Sequence, residues 1–582
     1  MLRFDVVGGP SPLRLLIVAL ACIFAFGSGA ARSAAPGPVS YQVTPELKDG
    51  RLDALAVEMR LSGDADGETF IRLPDSWSGV SDLHRAVRDV KAEGARLKRV
   101  SEAEVKLSHA PGAPIALSYR IRQQFQGELT AGDGPPFRAV VRPDRFTALG
   151  WAVFGEVSGP VGRPVEFRWG KTPEGWTVAS DLDHATRLPH TGELLDSVLV
   201  GGQGMRMIER PVAGGRLRVA VHGQWKFTPE ELSQLLVKIT EASAGFWGDE
   251  GEDFFVAVTP LAAPGEGSAQ YGVGLGDAFS LWTTAEADAA SLRHIVAHEH
   301  QHVWFPTRVG GVRTGPDEPL DYWLSEGFTD FYTLRILLRS GLWSLEEFVD
   351  DYNRILRAYG SSPVKTAPNR VVAAGFWEDP AVADLPYQRG LMLAALWDDR
   401  LRRQTNGQRD LDDVVLAMKA RAAGQPQSGQ AVENLRLSYG QFGGSLDADY
   451  RALVEAGGAV TLPDDLFGSC AAVKTVEQPV FDRGFDTAKT NAANGVVAGV
   501  DPQGPAYAAG LRNGMRIVGR LSGPADNNPH TLLAYQVRDD SGVKVIRYQP
   551  RGRKPVSFQQ IELAGNLDGA KRSECARVMS GG

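Results

Sequence analysis

The chain has 582 residues, 43% apolar and 23% charged, which is too long for one core and has the make-up of globular domains rather than of a disordered polymer. Its formal charge of −8, with no basic stripe, gives no support for nucleic-acid binding.

The N-terminal end stands apart from this average. Arg3 and Arg14 precede an unbroken apolar run over 15–26 and a small-residue stretch over 27–35, the layout of a secretory signal. The run is too short to stay in a bilayer as a spanning helix, and no other segment approaches that length. The expectation is a signal peptide over 1–35 and a secreted or periplasmic mature protein, with an uncleaved N-terminal anchor as the alternative. Of three cysteines, Cys22 lies in the signal, which leaves Cys470 and Cys575. In an oxidising compartment such a pair is most simply a disulfide; two buried free thiols are the alternative.

From Val39 to about Gly223 the apolar pattern has period two. Leu55, Val57, Met59 and Leu61 alternate with polar or small residues, as do Ile115, Leu117, Tyr119 and Ile121, and Val165, Phe167 and Trp169. This predicts a mostly antiparallel β domain with no chemistry visible in it. At Thr228-Pro229-Glu230-Glu231 the pattern changes to a helix start: an N-cap, a proline at the first helical position and a glutamate closing a capping box. A strand over 254–258 follows, then Tyr271-Gly272-Val273-Gly274-Leu275-Gly276-Asp277. Those glycines lack the strand-loop-helix setting and the lysine of a phosphate loop. An edge strand that a peptide could pair with, or a plain hairpin, fits better.

The segment 285–305 reads as a helix and contains His298-Glu299-His300-Gln301-His302. One helical turn separates His298 from His302, so both imidazoles can reach one metal ion, and Glu299 beside the first histidine can act as general base. Zinc is the natural metal, since its catalytic sites take three protein ligands and leave a fourth position open. The pair His294 and His298 has the same spacing, but Ile295 cannot be a base. His300 points about 160° away and is a packing residue or a hydrogen-bond partner of a ligand. After a Gly/Pro-rich loop over 310–319, a second helix over 322–339 carries Glu326 within Trp323-Leu324-Ser325-Glu326-Gly327-Phe328. Folded back, it would deliver the third ligand, with Asp330 one turn further on to accept a hydrogen bond from a ligand histidine. Amphipathic helices continue over 344–456, and the stretch from about 476 returns to short strands.

These motifs, with Trp304-Phe305, resemble the gluzincin metallopeptidases, and the site is similar to that of the M1 aminopeptidases. The longer spacing to the glutamate, the β-rich N-terminal part with Leu194-Leu195-Asp196-Ser197, and a PDZ-like C-terminus resemble the M61, glycyl aminopeptidase, family more. The resemblance implies a multidomain α+β fold: an N-terminal antiparallel β domain (36–223), a thermolysin-like α-rich catalytic domain (224–465) and a C-terminal PDZ-like β module (466–582). It implies one zinc per chain on His298, His302 and Glu326, with water activated by Glu299. It also implies a preference for small N-terminal residues.

Within Pro386-Tyr387-Gln388-Arg389-Gly390, Tyr387 reads on its own as a core aromatic; the resemblance implies that it steadies the oxyanion. Related enzymes hold the substrate's amine with a glutamate on the substrate-binding strand, where this chain has Gly274-Leu275-Gly276-Asp277. Either Asp277 substitutes with a shorter reach or the anchor is missing. In the PDZ-like segment, Gly484 and Phe485 belong to the expected carboxylate-binding loop for a C-terminal peptide ligand. The expected function is a peptidase acting on peptides or proteins, an aminopeptidase first. An endopeptidase, or a non-catalytic peptide-binding scaffold with a vestigial metal site, is the alternative.

Overall fold

The computed structural model describes residues 37–130, 137–159, 163–184, 188, 191–212, 214–249, 253–262, 270–424, 428–523, 528–565 and 567–581. The expected signal segment lies outside them. Among the described residues no helix is long and apolar enough to cross a membrane.

Alternation builds the N-terminal β region. Leu55, Val57, Met59 and Leu61 on the strand Arg51–Ser62 all turn inward, as do Ile115, Leu117, Tyr119 and Ile121 on Pro114–Ile121. These two strands pair antiparallel at the centre of a five-stranded sheet in which only Val39–Lys48 with Val165–Trp169 runs parallel. Two four-stranded sheets complete the region around a shared apolar core.

The helix Pro229–Trp247 starts at the Thr228 capping box, with both reciprocal hydrogen bonds made. It packs against a five-stranded sheet ordered Arg206–Val212, Gly215–Val221, Phe254–Leu261, Ala278–Thr284, Gln270–Leu275. That sheet crosses the 223/224 junction, because Gly215–Val221 pairs in parallel with Phe254–Leu261. Gln270–Leu275 is both an edge strand and one arm of a hairpin with Ala278–Thr284.

The histidine helix spans Ala289–Gln301, shorter than expected, because the Asp288 carboxylate caps it by accepting from the Ser291 N–H at 2.8 Å. His302 is its C-cap. The glutamate helix spans Tyr322–Arg339, and Leu345–Ser361 and Leu385–Gln404 pack beside it. Their apolar faces form one large core with the inner face of the sheet.

Strands Ala471–Phe481 and Arg551–Leu563 make an antiparallel ribbon whose inner end, at Val473 and Ile561, belongs to that same helical core. The Asn353 side chain holds the ribbon there, donating to the Ile561 carbonyl at 2.9 Å and accepting from its N–H at 2.7 Å. Between the ribbon strands, the sheet Arg516–Ser522, Leu533–Asp539, Gly542–Tyr548 encloses a small core of its own. The helix Gly569–Met579 was not expected, since only Cys575 and Met579 are buried along it and the apolar period is lost. Cys575 is disulfide-bonded to Cys470, with the Cα atoms 5.4 Å apart.

Candidate metal centre

Histidine and glutamate helices cross so that three donors converge. His298 Nε2 and His302 Nε2 lie 3.2 Å apart, and Glu326 Oε2 is 3.4 and 3.5 Å from them respectively. The other ring nitrogens are engaged: His298 Nδ1 faces Asp330 Oδ1 at 2.8 Å, and His302 Nδ1 faces the Phe305 carbonyl at 2.8 Å. Both partners are acceptors, so both Nδ1 atoms carry the proton and both Nε2 lone pairs point at the same spot. Two lone pairs facing each other beside a carboxylate need a cation. A tetrahedral zinc with ligands at about 2.0–2.1 Å sets neighbouring donors about 3.3–3.4 Å apart, which is the spacing of this trio. The residues therefore fit zinc.

Glu299 is 8% exposed and lies between the histidine helix and the edge strand. A Cβ on Gly272 would stand 2.2 Å from Glu299 Oε1, and one on Gly274 would stand 2.9 Å from the Glu299 carbonyl and from His302 Cβ. The two glycines thus let the strand approach the helix, and the Gly274 N–H donates to the Glu299 carboxylate. Burial raises the Glu299 pKa, offset in part by the histidines. Tyr387 stacks on His298, with ring centres 5.9 Å apart. Burial, then the charges of Glu326, Asp330 and Glu299, push its phenol well above the ordinary value, so it keeps its O–H as a donor.

His300 is a packing residue, 2% exposed and edge-on to Phe254 at 4.7 Å; burial lowers its pKa to about 3 and keeps it neutral. Asp277 is not brought to the trio. Arg308 holds it at 3.2 Å, and it lines a small cavity with His300, Trp304 and Asp249, on the side of the histidine helix away from the donors. Gly276, at φ +54°, turns the chain there, so the aspartate leaves the strand before it can face the site. In the C-terminal sheet module the Gly484 N–H already donates to Asp482 at 2.7 Å, and Phe485 packs edge-on against Tyr535.

Sequence reasoning missed Glu318, in the turn Gly315–Asp321 that leads into the glutamate helix. Its carboxylate accepts from the Tyr322 hydroxyl at 2.8 Å, and Tyr322 sits one turn before Glu326. Burial raises its pKa against that hydrogen bond, helped by the charges of Glu326 and Asp196, and no basic side chain among the described residues figures in the balance. Only its place beside the helix start could have signalled it.

The family model of the M61 glycyl aminopeptidases matches residues 291–374, which carry all three donors. No curated protein matches the chain in sequence. The structure of an aminopeptidase N family protein from Idiomarina loihiensis is similar over 92% of this chain and 100% of that one, at TM-score 0.68 and 15% identity, a likeness of fold. An M1 zinc metallopeptidase from Deinococcus radiodurans is more distant, at TM-score 0.47 and 17% identity over 74% of this chain and 95% of that one. The M61 match thus falls on the two helices whose donors are spaced for zinc, and over that segment the chain is similar to the M61 glycyl aminopeptidases.

Proposed function

We propose that the protein is a secreted or periplasmic aminopeptidase that removes small N-terminal residues from peptides. The observation that carries the catalytic part is Glu299, a buried carboxylate of raised pKa beside the donor trio and under the edge strand. When bound, zinc polarises the scissile carbonyl and makes water a better nucleophile at neutral pH. Glu299 accepts a proton from the attacking water and returns it to the leaving amine. The Tyr387 O–H donates to the carbonyl oxygen as negative charge develops there. Asp330 and the Phe305 carbonyl hold each ligand imidazole in the tautomer that offers Nε2. Among the described residues the strand Gln270–Leu275 lies at the edge of its sheet, where a substrate backbone can pair.

Glu318 supports the exopeptidase reading. A half-buried carboxylate with no basic partner among the described residues, near Glu326, suits a substrate's terminal ammonium group. Asp277 no longer serves that role. The signal over 1–35 supports export, and the sheet module between the ribbon strands is proposed to bind peptide C-termini.

The deciding experiment combines metal analysis with cleavage of matched peptides bearing free or acetylated N-termini. Zinc with release of the first residue from free peptides alone is expected. Internal cuts in acetylated peptides would make it an endopeptidase. Bound zinc without any cleavage would favour the scaffold reading.

A further inference from the structure

Behind the ligand His298 the structure continues through three helices. Asp330 Oδ1, on the glutamate helix, faces two histidines of the histidine helix: His298 Nδ1 at 2.8 Å and His294 Nε2 at 3.3 Å. The other nitrogen of His294, Nδ1, lies 3.1 Å from Asp351 Oδ2, on the helix Leu345–Ser361. Arg354 on that helix holds Asp351 in turn, Nε to Oδ1 at 2.8 Å. His294 and His298 lie one turn apart with nearly parallel rings, 16° between planes. The Leu345–Ser361 helix is itself fixed by the paired Asn353–Ile561 hydrogen bonds.

We propose that His294 and Asp351 are positioning residues of the metal site: together they hold the Asp330 carboxylate against His298 Nδ1, so that His298 offers Nε2 in one tautomer and one orientation. The inference rests on the zinc-metallopeptidase reading. A carboxylate with a single partner can turn about its Cβ–Cγ bond and let the imidazole swing with it. Here a second histidine nitrogen of the same helix lies 3.3 Å from the same oxygen, and the other nitrogen of that ring lies 3.1 Å from a carboxylate on a third helix. Partners of this kind set the direction and basicity of a metal ligand, and their loss weakens metal affinity. His294, His298 and Asp330 could also be read as a second ligand set, since their donors lie within 4.8 Å of one another. The 2.8 Å spacing of His298 Nδ1 and Asp330 Oδ1 is that of a hydrogen bond, shorter than the donor spacing around a tetrahedral ion.

The test uses the full chain. Zinc affinity is measured by competition with a chromophoric chelator, and ligand geometry by the visible absorption bands of the cobalt(II)-loaded protein. His294→Leu and Asp351→Asn are each expected to weaken zinc binding about ten-fold and to shift the cobalt bands, with far-ultraviolet circular dichroism and the one-to-one stoichiometry unchanged. His294→Gln, which can still donate to Asp330, should recover most of the affinity. Wild-type affinity and cobalt bands in a folded His294→Leu would overturn the proposal. So would two zinc ions in the wild type falling to one in that variant, which would make His294 a ligand. If His294→Leu does not fold, Asp351→Asn decides on the same criteria. A wild-type chain that binds no zinc at all would instead sink the metallopeptidase reading, so the two failures are distinguishable.

Discussion

Gly327 and Gly390 touch backbone to backbone. A Cβ on Gly327 would lie 2.3 Å from the Gly390 Cα, and one on Gly390 would lie 1.8 Å from the Trp323 carbonyl oxygen. The glutamate helix and the helix Leu385–Gln404 therefore meet main chain to main chain at these two glycines. Glu326 precedes the first glycine by one residue, and Tyr387 precedes the second by three, one helical turn. Beside this contact the Tyr387 ring stacks on His298, one of the three converging donors.

Gly390→Ala should therefore destabilise the fold, by about 1–3 kcal/mol from overpacking, because the methyl meets main chain that cannot step aside. A lowered thermal midpoint, together with lost activity, is the expected result. An unchanged midpoint would mean that the helices separate freely.

Gly272→Ala is a different case, since its methyl would meet the Glu299 side chain, from Cγ to the carboxylate, and no main chain. Stability is expected to hold while kcat falls, and zinc content by elemental analysis should not change. A variant with wild-type kcat would show that Glu299 does not need its place under the strand.

Glu299→Gln and Tyr387→Phe separate the proton carrier from the oxyanion donor. Loss of the base is expected to lower kcat about 10²–10⁴-fold, and loss of the phenol about 10²–10³-fold, each with zinc retained and KM little altered. Steady-state kinetics beside metal analysis reads both. A Glu299→Gln enzyme with full turnover removes the mechanism.

For Glu318 the pH dependence carries the sign. Its pKa is raised by burial and by neighbouring negative charge, so its anionic form is lost at a higher pH than for an ordinary glutamate as pH falls. An ammonium substrate prefers the anion. KM for free-amine peptides should therefore rise as pH drops into a range just above that of ordinary carboxylates, and Glu318→Gln should raise KM and flatten this limb. A KM that is the same in both proteins at every pH would dismiss the anchor.

Cys575→Ser should cost about 2–5 kcal/mol, the usual loss when a native disulfide is removed. Its consequence should extend beyond the C-terminus, because both cysteines sit in the core that also holds the metal helices. Thermal unfolding without reductant is the measurement; an unchanged midpoint would show that the bridge is dispensable.

Local rules made several features of this protein legible in the chain alone. Alternating apolar residues gave the inward face of Arg51–Ser62, the Thr228 box gave a helix start, and one-turn spacing placed His298 and His302 on one side of a helix. Glu326 was reachable by the same logic, since ligand chemistry asked for a third donor and a helical carboxylate followed. Each of these depends on neighbours within a few residues, which propensity and periodicity describe.

Other relationships join residues far apart in the chain, and only the packing of elements decides them. Whether Asp277 faces the metal or Arg308 turns on where one glycine bends a hairpin. His294 reads in sequence as a rejected ligand and becomes a partner of Asp330 only when three helices meet. The Glu299 carboxylate finds room because two glycines on a strand happen to pass over it. The amino-acid order determined that a zinc-binding helix would form; the tertiary structure decided what surrounds it, because side-chain distances across elements are set by the sum of all packing and not by any local run of residues.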